Sequence, residues 1–283
     1  MRKIIIVVAP VSLNPCEGIN NPLSPEEIAE DITSCNKAGA SVVHLHVRDL
    51  KGKTTTDLTT FSKTIDLIRE KSDIVINGST GGFLKTSSCE DRAIPLQDNR
   101  LELASLNMGS TNLGEEVFIN TFECIRYWAK TMYEKKIHPE MEIFEAGMIN
   151  NAKVLIKEGY LKPPFSFAFC PGFLGGLPAE PDIIYFLKNM LPHESIWGVN
   201  HIGSKDFSFI LTCIGMGASF VRVGFEDGFF YKSGHVAKTN SVLVERFVKI
   251  VKEIGYDIAT PNEAREIIGI QHKYYYSHLY RNL

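Results

Sequence analysis

Short β-branched runs alternate with amphipathic stretches from one end of the chain to the other, which is the pattern of repeated strand-helix units around a parallel sheet. Strand-like runs fall near residues 3-9, 40-47, 73-78, 101-107, 140-145, 165-170, 195-200 and 219-225. Ile4-Ile5-Ile6-Val7-Val8 is apolar at every position, as expected of a strand covered on both faces. Met1-Arg2-Lys3 ahead of it imitates a signal peptide, but Pro10 and Asn14 follow at once, and the reading adopted is a buried strand. The first helix is sharply punctuated. Ser24 can cap it, Pro25 suits its first turn, Glu27 sits at the capping-box position, Ile28, Ile32 and Cys35 share a face, and Gly39 stops it. Thr260, Pro261 and Glu263 open a last helix that ends near Gly269. Between these, apolar stripes predict helices near 57-71, 116-135, 148-159, 181-191, 206-217 and 241-254.

Eight strands are the number of a (β/α)8 barrel, and no linker interrupts the alternation. The densest Pro and Gly patch, residues 171-181, falls where a long strand-to-helix loop belongs. The predicted fold is therefore α/β, a single (β/α)8 TIM barrel over residues 1-283, with 270-283 an aromatic C-terminal tail. An open doubly wound sheet is the alternative, but the first strand-to-helix junction, Val11 to Ser24, has no G-x-G-x-x-G for a dinucleotide.

Composition narrows the function. With 44% apolar and 22% charged residues the chain has ample material for a core, and a net charge of -3 gives no basic excess for nucleic acid or an anionic membrane. No run reaches the roughly 18 apolar residues of a membrane span. The six cysteines are scattered without a C-x-x-C pair, which fits reduced thiols in a cytoplasmic protein and excludes a zinc ribbon. A small-molecule partner is expected.

Chemistry concentrates at predicted strand ends, where barrel enzymes carry their sites. In Val43-His44-Leu45-His46-Val47-Arg48-Asp49 two imidazoles two residues apart project to one side of a strand, which suits zinc; a pair of strand histidines satisfied by backbone is the plainer reading. Val221-Arg222-Val223-Gly224-Phe225-Glu226-Asp227 puts Arg222, Gly224 and Glu226 on one face, and closure of the ring brings Glu226 towards His44 and His46. Three protein ligands would leave one metal position open, and Arg222 could orient Asp227 as a general base. A salt-bridged surface Glu-Asp pair is the alternative there. In Asn77-Gly78-Ser79-Thr80-Gly81-Gly82 small residues let backbone N–H groups approach an anion, with the Ser79 and Thr80 hydroxyls as further donors. A simple Gly-rich turn would have the same composition. Ser105 and Asn107 share a face of the fourth strand and Glu145 ends the fifth, positions that either a site or a helix cap explains. Cys170 has no cation nearby in sequence and reads as a packed thiol.

H-L-H-V-R-D, N-G-S-T-G-G, A-S-L-N-M-G-S-T-N, E-A-G-M and R-V-G-F-E-D follow one another in the order and spacing of the β-keto acid cleavage enzymes, and the chain resembles them from Lys3 to about Gly269. The resemblance implies a zinc-dependent barrel that condenses a β-keto acid with acetyl-CoA and splits the adduct into acetoacetate and a new acyl-CoA. It implies zinc on His44, His46 and Glu226, the substrate carboxylate on Ser79 with Ser105 nearby, Asp227 as the base oriented by Arg222, and Glu145 at a polar position of the same site. A zinc-dependent hydrolase or aldolase without CoA would use the same ligands. In relatives from lysine fermentation an acidic side chain of the first loop meets the substrate amino group; the aligned stretch here ends in Asn14, so the resemblance implies a substrate-binding Asn14 and a different preference, with Glu17 three residues further on as the alternative partner for an amino group. Ile202-Gly203-Ser204 also lacks the arginine that commonly follows this glycine. Relatives form homo-oligomers, which implies a tetramer.

Overall fold

The computed structural model describes residues 2–49, 51–81 and 88–270. Eight parallel strands form a closed ring: β1 (Lys3–Val8), β2 (Val42–Leu45), β3 (Val75–Gly78), β4 (Leu103–Asn107), β5 (His138–Ile143), β6 (Phe165–Phe169), β7 (Ser195–Asn200) and β8 (Phe220–Val223). Neighbours in sequence are neighbours in the ring, and β8 closes on β1 with Ile5 opposite Phe220 and Val8 opposite Val223. Ile4, Ile5 and Ile6 are fully buried, since one face of β1 fills the barrel and the other packs under helices.

Helices follow each strand: α1 (Pro25–Ala38), α2 (Leu58–Arg69), α3 (Cys89–Arg92), α4 (Phe122–Lys135), α5 (Gly147–Lys157), α6 (Pro181–Met190), α7 (Ser208–Gly215) and α8 (Asn240–Glu253), with α9 (Pro261–Ile268) after the ring is complete. α1 and α9 carry the capping boxes read from sequence, Ser24 with Glu27 and Thr260 with Glu263, and both end on a left-handed glycine. Asp257 and Ile258 pair with the start of β1, which carries the chain under the barrel into α9.

The structure departs from the sequence reading in three places. Residues 111–118 form a hairpin, Thr111–Leu113 against Glu116–Phe118, where the apolar stripe had predicted the start of a helix at 116. Gly114 turns the chain at φ 65°, and Thr121 caps α4 only afterwards, its hydroxyl accepting from Cys124 N–H. Between β3 and β4, where no helix was predicted, stands α3, capped reciprocally by Ser88 and Asp91. Finally, Cys89 of α3 and Cys124 of α4 are joined as a disulfide, so the reading of six reduced thiols is corrected at this pair; Cys16, Cys35, Cys170 and Cys213 are free. The packing of α3 on α4 explains the approach, with Trp128 Nε1 donating to the Cys89 carbonyl at 2.7 Å. The predicted tail with Tyr274, Tyr275, Tyr276 and Tyr280, like Gly82, lies outside the described residues. Among the described residues no helix is long and apolar enough to cross a membrane.

Candidate active site

The C-terminal ends of the strands surround a narrow cleft with a charged floor and an aromatic wall. β2 supplies His44, which points inward, and His46 follows one step beyond the strand end, so the period of two brings both imidazoles to one point. Their Nε2 atoms face each other at 3.2 Å. Glu226 completes the set, with Oε1 3.8 Å from His44 Nε2 and Oε2 3.6 Å from His46 Nε2.

Glu226 does not arrive by strand alternation as the sequence suggested. β8 stops at Val223, and Gly224 takes a left-handed conformation at φ 133°, where a Cβ would lie 2.4 Å from the Ala9 carbonyl oxygen. Only glycine tolerates both the angle and the approach. The turn is locked by Glu226 N–H donating to Ala9 O at 3.1 Å and Phe225 N–H donating to Asn240 Oδ1 at 2.8 Å.

Arg222 is the electrostatic centre of the floor. Its Nε and Nη2 donate to the two carboxylate oxygens of Asp227 at 2.8 and 2.6 Å; Glu226 Oε1 lies 3.2 Å from Nη2 and Glu142 Oε1 3.8 Å from Nη1. Burial works against the guanidinium charge, but Asp227 and Glu226 outweigh it and hold the Arg222 pKa well above its ordinary value. Burial also raises Asp227 and Glu226, each opposed by Arg222. Both imidazoles are driven towards the neutral form, first by burial and then by Arg222; His44 falls well below its usual value and His46 to about 3.

Neutral imidazole nitrogens and a carboxylate are the donor set of a divalent cation such as zinc. The His44, His46 and Glu226 donor atoms all lie within 4.8 Å of one another. His44 Nδ1 and Glu226 Oε2 are buried without a hydrogen-bond partner, a cost that a cation held by Glu226 would offset at the carboxylate. The donors therefore fit a metal.

β5 contributes two carboxyls that the sequence reading passed over. Glu140 accepts from Asn77 Nδ2 at 2.9 Å, and Glu142 lines the cleft. Burial pushes Glu142 up to about 8, despite Arg222. The signal was present in His138-Pro139-Glu140-Met141-Glu142, where charged residues alternate with apolar ones at strand period.

The loop after β3 supplies the polar side. Ser79 and Gly81 line the cleft, and Gly81 N–H donates to Ser79 Oγ at 3.0 Å. Thr80 and Ser105 face each other behind that surface: Thr80 N–H donates to Ser105 Oγ at 3.0 Å and Thr80 Oγ1 to the Ser105 carbonyl at 2.7 Å. Asn107 reaches the cleft from β4. Arg92 fastens the same loop from α3, with Nε donating to Thr80 O at 2.8 Å, Nη1 to Ile119 O at 2.8 Å and Nη2 to Asn120 Oδ1 at 2.6 Å. Its guanidinium stacks over Trp128 at 4.3 Å and Phe118 at 4.9 Å. The wall consists of Phe118, Phe144 and Phe173 with Leu113 and Ile202.

Three of the residues singled out from sequence stand elsewhere. Asn14 is exposed on the first loop and does not line the cleft, because the chain turns outward after Ser12, whose carbonyl is held by Arg48. Glu145 is exposed, three residues past Glu142 and beyond the end of β5, on a separate shallow depression with Ser110 and Asn112. Asp227 sits behind Arg222 and Glu226 instead of forming the cleft surface.

With this geometry established, comparisons add the following. A sequence profile of the family described as beta-keto acid cleavage enzyme matches residues 3–270. The chain is 39% identical over 277 residues to a 3-keto-5-aminohexanoate cleavage enzyme of Fusobacterium nucleatum, covering 96% of this chain and 99% of that one. It is 28% identical to a 3,5-dioxohexanoate:acetyl-CoA acetone transferase of Paraburkholderia graminis, over 95% of this chain and 96% of that one. Among solved structures, ObcA in binary complex with oxaloacetate superposes with a TM-score of 0.75 at 17% identity, covering 89% of this chain and 67% of that one, a likeness of fold.

Proposed function

The chain belongs to the beta-keto acid cleavage enzyme family, and from that premise we propose that it transfers acyl groups between a 3-keto acid and acetyl-CoA, R-CO-CH2-COO⁻ plus acetyl-CoA giving R-CO-CoA plus acetoacetate. The observation that carries this reading is the convergence of His44, His46 and Glu226 beside the Arg222–Asp227 pair on the floor of one cleft.

His44, His46 and Glu226 would hold zinc, which when bound supplies Lewis acidity towards the keto-acid oxygens. Ser79 and the backbone of the loop at Gly81 bind the substrate carboxylate, with Thr80 and Ser105 fixing the loop and Asn107 a further donor. Asp227, one layer behind Arg222 and Glu226, comes forward to the cleft to accept a proton from C2, the carbon between the two carbonyls. Its raised pKa makes it a stronger base than a solvated aspartate, and Arg222 keeps it oriented. The C2 carbanion attacks the thioester carbonyl of acetyl-CoA and expels CoA thiolate. The thiolate then attacks the ketone carbon of the original acid, the C2–C3 bond breaks, and Asp227 returns its proton to C2. Glu142, whose pKa burial raises to about 8, lines the cleft where its protonated form can donate a hydrogen bond to oxygen as charge develops there.

One barrel domain carries this site. Exposed apolar side chains on neighbouring loops, Val117, Ile119 and Leu174, support assembly as a homo-oligomer, and dependence on acetyl-CoA, an intracellular thioester, supports a cytoplasmic setting. The test is a panel of 3-keto acids with and without acetyl-CoA. Acetoacetate and a new acyl-CoA should form in equal amounts, and only with acetyl-CoA. Equal loss of keto acid without it would replace this reading by a zinc-dependent hydrolase or aldolase.

A further inference from the structure

The cleft is divided by chemistry. Among the described residues, every charged or imidazole side chain that lines it, His44, His46, Glu142, Arg222 and Glu226, belongs to the floor. Ser79, Gly81 and Asn107 form a polar side, and the rest of the described lining is an apolar wall: the Phe118 and Phe144 rings meet edge-on with centroids 6.1 Å apart, Phe144 and Phe173 are 5.8 Å apart, and Leu113 and Ile202 extend the same wall. Phe144 is nearly fully buried, so its ring is fixed by packing instead of folding into the cleft as a mobile cover.

A 3-keto acid whose carboxylate and ketone are held at the floor must lay the rest of its chain on this wall. We infer that the cleft selects 3-keto acids whose chain beyond the ketone is uncharged and apolar, seated on the Phe118, Phe144 and Phe173 rings, an inference that rests on the keto-acid chemistry proposed above. An ammonium carried on that chain would lose its hydration against aromatic carbon and need a carboxylate in return. The wall supplies none, and the residues outside the described set, 1, 50, 82–87 and 271–283, contain no acidic side chain that could supply one. The acidic side chain of the floor that is not a proposed ligand, Glu142, faces Arg222. A carboxylate at the far end of the chain would meet the same penalty, with no cation among the described wall residues to receive it.

Binding and turnover are measured separately so that this inference and the proposed reaction can fail independently. Calorimetry of the zinc-loaded full chain without acetyl-CoA compares 3-oxohexanoate, 3-oxooctanoate, 3-oxo-5-aminohexanoate and 3-oxoadipate. Affinity should rise about fourfold per added methylene until the wall is covered, and the amino and dicarboxylic compounds should bind about tenfold or more weakly than 3-oxohexanoate. Phe173→Ala should flatten the chain-length dependence, and Phe144→Leu, which keeps the core filled, should weaken it; each ratio is internal to one protein sample and independent of its active fraction. Equal or tighter binding of 3-oxo-5-aminohexanoate or 3-oxoadipate overturns the inference. Apolar preference in binding with no acetyl-CoA-dependent turnover of any compound overturns the proposed reaction and leaves the pocket assignment standing.

Discussion

At the scale of single residues, the site was legible where chemistry repeats at strand period and obscure where a turn or a second strand intervenes. His44 and His46 could be paired from spacing alone, because side chains two apart on a strand share a face. The resulting expectation is one divalent ion per chain. His46→Ala combined with Glu226→Gln should abolish stoichiometric metal on elemental analysis, since two of three ligands are lost, and retained zinc would refute the set. Glu226 itself was found from sequence for the wrong reason. The alternation assumed for Arg222, Gly224 and Glu226 ends at Gly224, whose positive φ redirects the chain. Glu142 shows the opposite failure: its period was visible, but Glu145 drew notice because it ended the predicted strand. The two differ in burial, which decides chemistry. Asp227→Asn should retain metal and substrate affinity while lowering turnover by a factor on the order of 10²–10⁴. Glu142→Gln keeps a hydrogen-bond donor and should cost less. If Asp227→Asn turns over at a near-normal rate, the base is not Asp227.

At the scale of elements, the eight strands and most helices could be read from hydrophobic period and capping residues, because those are local properties. The segment between β3 and α4 could not. Its α3 spans Cys89–Arg92, too short to show a stripe, and the 111–118 hairpin carries enough apolar residues to continue the pattern of α4 backwards. These misread pieces hold the polar side of the cleft in place through Arg92, which contacts the Thr80 carbonyl, the end of the hairpin and the Phe118 ring together. Arg92 is therefore a positioning residue. Arg92→Lys keeps a charge but loses the planar fork that makes all three hydrogen bonds, so KM for the keto acid should rise about tenfold with a smaller change in kcat. Arg92→Met should do the same more strongly. Steady-state kinetics beside thermal unfolding checks this, and a fall in stability with KM unchanged would reduce Arg92 to a structural role.

Over the whole molecule, the two ends of the barrel divide the work. The C-terminal end holds the cleft; the N-terminal end is shut by a buried ion network that the sequence did not reveal, because its members are far apart in the chain. Arg265 of α9 donates through Nε to Glu102 Oε1 at 2.6 Å and through Nη2 to Glu102 Oε2 at 3.0 Å, and its Nη1 reaches Asp73 at 3.0 Å. Arg69 adds a contact to Glu102 at 3.3 Å. The Glu102 side chain is 0% exposed, so it cannot recover hydration if its main partner leaves. Removing one member of such a pair costs about 3–5 kcal/mol, whereas replacing both by apolar groups of similar size can be nearly neutral. Arg265→Met should accordingly lower unfolding free energy by that amount in a urea titration, and Arg265→Met with Glu102→Leu should recover most of the loss. Because the network lies at the end of the barrel opposite the cleft, kcat of the folded fraction should be unchanged in both variants. A single variant within about 1 kcal/mol of the parent would mean that Arg69 alone satisfies Glu102, and that α9 is held to the barrel by its apolar face, Ala264 and Ile268, instead of by charge.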